Sequence, residues 1–290
     1  MRLPSCYRGA MCANYIPPPP RALRERLSIA PRRSAGQPGL QVVEPDFSYP
    51  EEVYPAGEAP VLWPDRPRRA GPAGGRGDGA GTRAGTGEPG DELITLVPRP
   101  ARFGLLPGWA QGDKLMRMTY NARSETVAGK PSFRQAWRQR QFCLIPVQAF
   151  HEPCHDSGRP VRWRIERGDG APFFVAGLWE SAWRTPQPDL LDPTPAAVQL
   201  LSFTMLTVSA EGHALMARFH APGDEKRSIV VLSPEAALAW LQAARSGDEA
   251  QARPAAARAG RRVRLHARPA RAAGRAARDG NMSARARRRP

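Results

Sequence analysis

Past residue 92 the chain becomes a succession of short apolar runs broken by glycine, proline and polar turns. Residues 93–97 form one run, and 102–106 read as another. Residues 141–147 are apolar after Gln141, 161–165 alternate with period two, 172–180 are again apolar up to Glu180, and 199–208 and 228–232 complete the series. Runs of this length bounded by turn residues are strand-sized, and the alternating one is half-buried. Helical signals are fewer and shorter. Residues 131–140 start with Pro131 and set Phe133 and Trp137 on one face. Residues 21–29 follow a stiff proline run and carry Leu23 and Leu27 one turn apart. Ser209 reads as the cap of a short helix through Met216. Ser233-Pro234-Glu235 opens a helix to about Ala244, with a cap, a first-turn proline and a first-turn acid. Strands dominate, so the expected fold is α+β: a single domain with a mostly antiparallel β-sheet, a barrel-like core and short flanking helices. Residues 45–62 read as extended, with Tyr54 and Val61 as anchors.

Two stretches do not fit a compact core. Residues 66–91 alternate Gly, Arg, Ala and Pro with almost nothing to bury, which reads as a disordered insertion. Residues 246–290 hold thirteen arginines against Asp248, Glu249 and Asp279, so this tail carries +10 of the net +16. It reads as a disordered basic tail. A basic balance favours a polyanionic partner, but most of that signal is confined to the tail. Residues 1–10 lack the apolar segment of a signal peptide and read as a dispensable extension before Met11. No apolar run reaches the ~18 residues of a membrane span. Cys6, Cys12, Cys143 and Cys154 make neither a CxxC pair nor a zinc-ribbon spacing, which points to a reducing, cytoplasmic setting.

The chemistry concentrates in four places. If Met11 is the initiator and is removed, Cys12 presents an α-amine and a thiol on one residue. Such a 1,2-aminothiol captures an aldehyde twice, first as a Schiff base and then as a thiazolidine ring. An α-amine with a pKa near ~7.7–8 is already partly unprotonated at neutral pH, whereas a thiol near ~8.5 needs a neighbouring base or cation. Asn121-Ala122-Arg123-Ser124-Glu125-Thr126 is a polar loop with phosphate-binding character. Glu152, in Phe150-His151-Glu152-Pro153, stands just past a core strand, where a carboxylate serves as a turn residue or as a general acid/base. His220 follows the short helix and reads, alone, as a structural hydrogen-bonder. A zinc site from His151, Cys154 and His155 is crowded and lacks an evident fourth ligand.

Together and in this order, these segments resemble the SOS response-associated peptidase (SRAP) family. The resemblance is carried by Met11-Cys12-Ala13-Asn14-Tyr15, residues 105–109, residues 121–126 with Lys130-Pro131, and residues 140–146 with Phe150 and Glu152. It continues through Ala176-Gly177-Leu178-Trp179-Glu180, Ala214-Leu215-Met216, His220 and residues 229–234. It covers roughly residues 11–245, with 66–91 as an insertion. The resemblance implies a sensor of abasic sites in single-stranded DNA that links itself to them covalently. It implies a catalytic nucleophile at Cys12 and an asparagine, Asn121, that positions the amine and the sugar. Glu152 would shuttle protons, and His220 would assist sugar-ring opening and crosslink reversal. It further implies a thiol autopeptidase that exposes its own cysteine. Arg123 and Trp109 are the expected contacts to phosphate and base. The expected partner is single-stranded DNA containing abasic sites. The protein is expected to be a monomer in the cytoplasm, associated with the nucleoid, with no cofactor, metal or membrane. Three departures stand out: Ala13-Asn14 replace the family's Gly-Arg, His151-Glu152-Pro153 replace its Tyr-Glu-Trp, and the segment after His220 is longer and more charged than in many members, with Asp224-Glu225-Lys226-Arg227. A thiol peptidase acting on other proteins and a non-enzymatic nucleic-acid binder are the alternative readings.

Overall fold

The computed structural model describes residues 13–32, 37–64, 93–110, 112–185, 196–246 and 263–270. Cys12, residues 1–10, the 66–91 tract and most of the basic tail therefore lie outside the described residues. The elements run β1 (Tyr15–Ile16), α1 (Pro20–Leu27), β2 (Gly39–Val42), β3 (Glu58–Pro64), β4 (Leu93–Phe103) and β5 (Asn121–Arg123). They continue through α2 (Arg134–Arg138), β6 (Phe142–Val147), β7 (Ala149–Cys154), β8 (Val161–Arg167), β9 (Phe173–Arg184) and β10 (Val198–Ser209). The last are β11 (Arg227–Ile229), β12 (Val231–Leu232), α3 (Pro234–Ser246) and β13 (Leu265–Pro269).

The fold is mixed and mostly sheet. Nine strands make one sheet, ordered β11-β10-β4-β3-β6-β9-β12 with β2 beside β4 and β5 beside β10; a second sheet is ordered β1-β7-β8-β13. Most pairings are antiparallel, and β2–β4, β4–β10 and β5–β10 are parallel. β9 pairs both β6 and β10, so the large sheet curls back on itself. The circuit is tenuous where β4 meets β10 at Ser202↔Arg102 and Phe203↔Phe103, and where β3 meets β6 at Leu62↔Leu144. It stops short of a clear barrel.

The apolar runs are buried as strands. All six side chains of β6 are inside, and β9 is buried from Phe173 to Leu178. One core cluster collects Trp137, Phe142 and Trp240, with Phe142 and Trp240 stacked at 4.3 Å. Leu23 and Leu27 of α1 join it, as their one-turn spacing requires. The Trp240 indole N–H donates to the Cys143 carbonyl at 3.0 Å, which ties α3 to β6. Ser233 caps α3, its hydroxyl accepting from the Ala236 N–H at 3.2 Å. Gly177 is required by a close approach: a Cβ there would press on the Thr204 carbonyl at 2.7 Å and on Ile145 at 2.5 Å.

Several sequence expectations are corrected. Residues 93–97 and 102–106 are not two strands; one strand runs through Pro98 and Pro100 to Phe103. β2 pairs only residues 93–96 and β10 only 102–103, so across 97–101 β4 has a neighbour on one side, where prolines lacking an N–H are tolerated. Ser209 caps no helix. It closes β10, the chain turns at Gly212 (φ 73°), and the His213 ring accepts the Leu215 and Met216 N–H groups at 3.2 and 3.1 Å. That leaves a short 3-10 turn at Met216–Arg218. Tyr54 is not an anchor: it is 52% exposed, while Val53 points inward and bridges Tyr15. The 131–140 helix shrinks to Arg134–Arg138, and 228–232 divides into β11 on β10 and β12 on β9. The tail read as disordered contributes β13, whose backbone adds an antiparallel strand to β8 from Leu265 to Pro269.

Candidate functional site

The second sheet carries the most unusual burial. β7 reads Ala-Phe-His-Glu-Pro-Cys, and His151 and Glu152 are both inside it. β1 lies antiparallel to β7, pairing Tyr15 with Phe150 and Ile16 with Ala149, and the His151 N–H donates to the Asn14 carbonyl at 3.3 Å. The chain N-terminal to Tyr15 is thus directed along β7 toward its Glu152 end. On the other side, β8 sets Trp163 opposite Glu152.

His220 meets Glu152 from a different part of the chain. The Cys154↔Phe219 bridge and the His220 N–H on the Pro153 carbonyl (3.1 Å) fix the 219–220 backbone against the end of β7. His220 has φ 71°, an uncommon conformation for a residue with a side chain, and this contact holds it there. Its Nδ1 stands 3.7 Å from the Glu152 carboxylate, with His220 5% and Glu152 2% exposed. Its Nε2 faces the Arg227 carbonyl at 3.1 Å. A carbonyl only accepts, so Nε2 carries the proton in the neutral ring and the Nδ1 lone pair faces Glu152. Burial, first among the causes, holds the His220 pKa below its ordinary value. The result is a carboxyl and a neutral imidazole enclosed together, a pairing suited to proton exchange.

The other predicted residues stand on other elements. Asn121 opens β5 and pairs with Met205 in the middle of β10. Arg123, two residues on and therefore on the same face of β5, is half-exposed and forms an ion pair with Glu225 at 2.8 Å. Trp109 projects from the turn closed by the Ala110 N–H on the Pro107 carbonyl and is 63% exposed. Cys12 lies outside the described residues. Of the described cysteines, Cys143 is buried and its thiol is pushed well above the usual range, which makes it a poor nucleophile.

The residues matched by the family model for SOS response associated peptidase (SRAP) are 47–271. The chain belongs to the SRAP family. It is 31% identical over 141 residues to the abasic site processing protein YoqW of Bacillus subtilis, covering 48% of this chain and 55% of that protein. It is 39% identical over 87 residues to YoaM of the same organism (30% and 37% covered), and 27% identical over 170 residues to YedK of Escherichia coli (56% and 66%); both are also named abasic site processing proteins. The chain thus spans about half the length of the first of these relatives. A crystal structure of a Bordetella bronchiseptica protein shares the fold, with a TM-score of 0.59, 23% identity, and coverage of 90% of this chain and 100% of that one.

The SRAP chain buries further polar groups. His151 accepts the Arg162 N–H at Nδ1 (2.9 Å), and Glu52 accepts from both Arg162 and the Asn14 amide. Burial, with help from the Arg164 charge, lowers the His151 pKa to about 4, so this ring is neutral. The departure from Tyr-Glu-Trp is therefore accommodated by a neutral histidine locked to an arginine. Glu180 is buried where β9 passes the Trp109 turn, accepts the Gly108 N–H at 3.3 Å, and has its pKa raised by burial. Its signal was an acid at the end of an apolar run. Arg227 is buried at the start of β11 and donates to Glu125, Glu225 and Thr207. Among the described residues no group of three or more His, Cys, Asp or Glu is arranged to hold a metal, and no helix is long and apolar enough to cross a membrane.

Proposed function

We propose that this SRAP protein processes abasic sites in single-stranded DNA, and that it does so by forming a covalent link through Cys12. The observation that carries the reading is the enclosed Glu152–His220 pair, with the N-terminal end of β1 beside it on β7. Asn14, two residues after Cys12 in sequence, lies opposite His151. Family membership and the names of the relatives support the substrate class.

The chemistry follows from the residue types. A ring-opened abasic sugar exposes an aldehyde. The Cys12 α-amine adds to it, the carbinolamine loses water, and a Schiff base forms. The Cys12 thiolate then adds to the same carbon, closing a thiazolidine with one C–N and one C–S bond where the C=O stood. Glu152 donates the proton to the departing hydroxyl and recovers one from the amine or thiol; His220, with its free Nδ1, exchanges protons with Glu152 and with the sugar hydroxyl during ring opening. Asn121 orients the amine and sugar. Closing the ring removes the iminium that would otherwise promote strand breakage by β-elimination. Arg123 contacts phosphate and Trp109 stacks on a base. The reaction needs a free amine on Cys12, which the proposed autopeptidase activity supplies by removing whatever precedes it. No cofactor enters the scheme; the working form is a monomer in the cytoplasm near DNA.

The deciding experiment is intact mass spectrometry of the protein before and after incubation with an oligonucleotide carrying one abasic site. The expected product is a denaturation-resistant adduct on a chain that begins at Cys12. Cys12→Ala abolishes it; persistence of the adduct in that variant would refute the assignment.

A further inference from the structure

We infer that Glu225 is a built-in competitor for the DNA phosphate at Arg123, an inference that rests on the reading of Arg123 as a phosphate contact. The Glu225 carboxylate bridges two guanidinium groups: Oε2 lies 2.8 Å from Arg123 and Oε1 lies 2.5 Å from Arg227. The two arginines are not equivalent. Arg227 is buried and also donates to Glu125 at 2.7 Å and to the Thr207 carbonyl at 3.0 Å, so it keeps partners if Glu225 leaves. Arg123 is half-exposed, and among the described residues Glu225 is its one ion-pair partner. A carboxylate and a phosphodiester look alike to a guanidinium, each offering two oxygens that share one negative charge. The exposed arginine is therefore already complexed with an anion belonging to the protein itself.

The position of Glu225 suits an exchangeable anion. It stands in the segment between His220 and β11, not in a ladder, so its side chain can turn away without breaking strand pairing. That segment is held independently of it: Lys226 Nζ donates to the carbonyls of His220 and Ala221 at 3.1 and 2.9 Å, and Gly223 makes the turn with φ 86°. A strand entering along the Asn121–Arg123 face must displace the carboxylate or meet its charge. Glu225 thereby lowers the affinity for undamaged strands, whose binding rests on non-covalent contacts alone, and leaves the covalent step to retain the damaged ones.

The test measures equilibrium binding of the full chain to an oligothymidine without an abasic site, by fluorescence anisotropy at fixed salt. Glu225→Gln is expected to tighten binding about three- to tenfold, the range set by removing one exposed ion pair and one like-charge contact. In an Arg123→Ala background the same change is expected to have a clearly smaller effect, because the competed partner is gone and only the like-charge contact with the strand remains. A folded Glu225→Gln protein with unchanged or weaker affinity overturns the inference while leaving the role of Arg123 intact. Arg123→Ala that leaves oligothymidine affinity unchanged overturns the phosphate reading itself, and the inference with it. Should Glu225→Gln fail to fold, Glu225→Asp, which withdraws the carboxylate by one methylene, decides: tighter binding upholds the competitor role and unchanged binding ends it.

Discussion

β6 and β7 are consecutive six-residue strands separated by Gln148, and both are almost entirely buried. They do opposite work. β6 carries Phe-Cys-Leu-Ile-Pro-Val into the nine-stranded sheet, where all but Pro146 join an apolar cluster. β7 carries His151 and Glu152 into the four-stranded sheet, where each meets a polar group from a distant part of the chain. Burying an apolar side chain stabilises by about 1.5–3 kcal/mol, whereas burying a carboxyl costs stability unless a partner offsets it. The second strand gives up stability that the first supplies, and what it gains is a carboxyl–imidazole pair shielded from water. The partners of β7, Arg162 and His220, arrive from β8 and from the loop after Phe219, so the pair exists only once the sheet is assembled.

The widest separation between the two strands should appear on truncation. Leu144→Ala in β6 removes a fully buried side chain shared by β3 and β9 and should cost about 2–5 kcal/mol, read as a lower denaturant midpoint with unchanged slope. The molecules that remain folded should still form the DNA adduct; loss of the adduct in folded protein would erase the distinction between the strands. Glu152→Gln in β7 should do the reverse. Adduct formation should slow by about a hundredfold, the usual scale for a general acid/base, while the melting temperature changes little because glutamine keeps the shape and polarity of the buried side chain. A fall in melting temperature as large as that of Leu144→Ala would show Glu152 to be structural.

The smallest effect is on pH. In the unfolded chain histidine takes up a proton near pH 6.5, but folded His151 does so only at about 4. Between those values the unfolded state binds more protons, so stability falls as pH falls through the window, by at most about 1.4 kcal/mol per pH unit for each such histidine. His220 acts in the same direction. Glu180 opposes them, since its raised pKa lets the folded state hold a proton more readily, a contribution lost as pH rises. Melting temperatures measured from pH 7 to 4 should decline, and His151→Asn should flatten the decline. An unaltered slope in that variant would mean that β7 holds a charged ring.

Much of the scaffold was legible because local rules and tertiary demand coincide. β6, β8, β9 and β10 follow directly from apolar runs and period-two alternation, and α3 from Ser233-Pro234-Glu235. Legibility failed where a side chain or a neighbouring strand overruled local preference. His213 competed for the amides that a helix after Ser209 would have used. Pro98 and Pro100 were tolerated inside β4 because no second strand reaches them. β13 takes its order from the open edge of β8, which a basic, low-complexity segment cannot announce. Within the site, Glu152 and His220 were nameable through their resemblance to a family pattern, yet Arg227 and Glu225 read only as a charged stretch. Their roles depend on Glu125, Thr207 and Arg123, which stand far away in sequence.

Residue types and their order determined the strand-rich class, the family, and the inventory of thiol, amide, carboxyl and imidazole groups. Tertiary structure alone decided which of those groups face each other: that His220 is turned onto Glu152 with its free nitrogen forward, that His151 is neutral against Arg162, and that Arg123 is already held by an acid. The physical reason is range. Periodicity and propensity act over a few residues, while the ionisation and pairing of a buried polar group are set by whatever the folded sheet brings within a few ångströms of it.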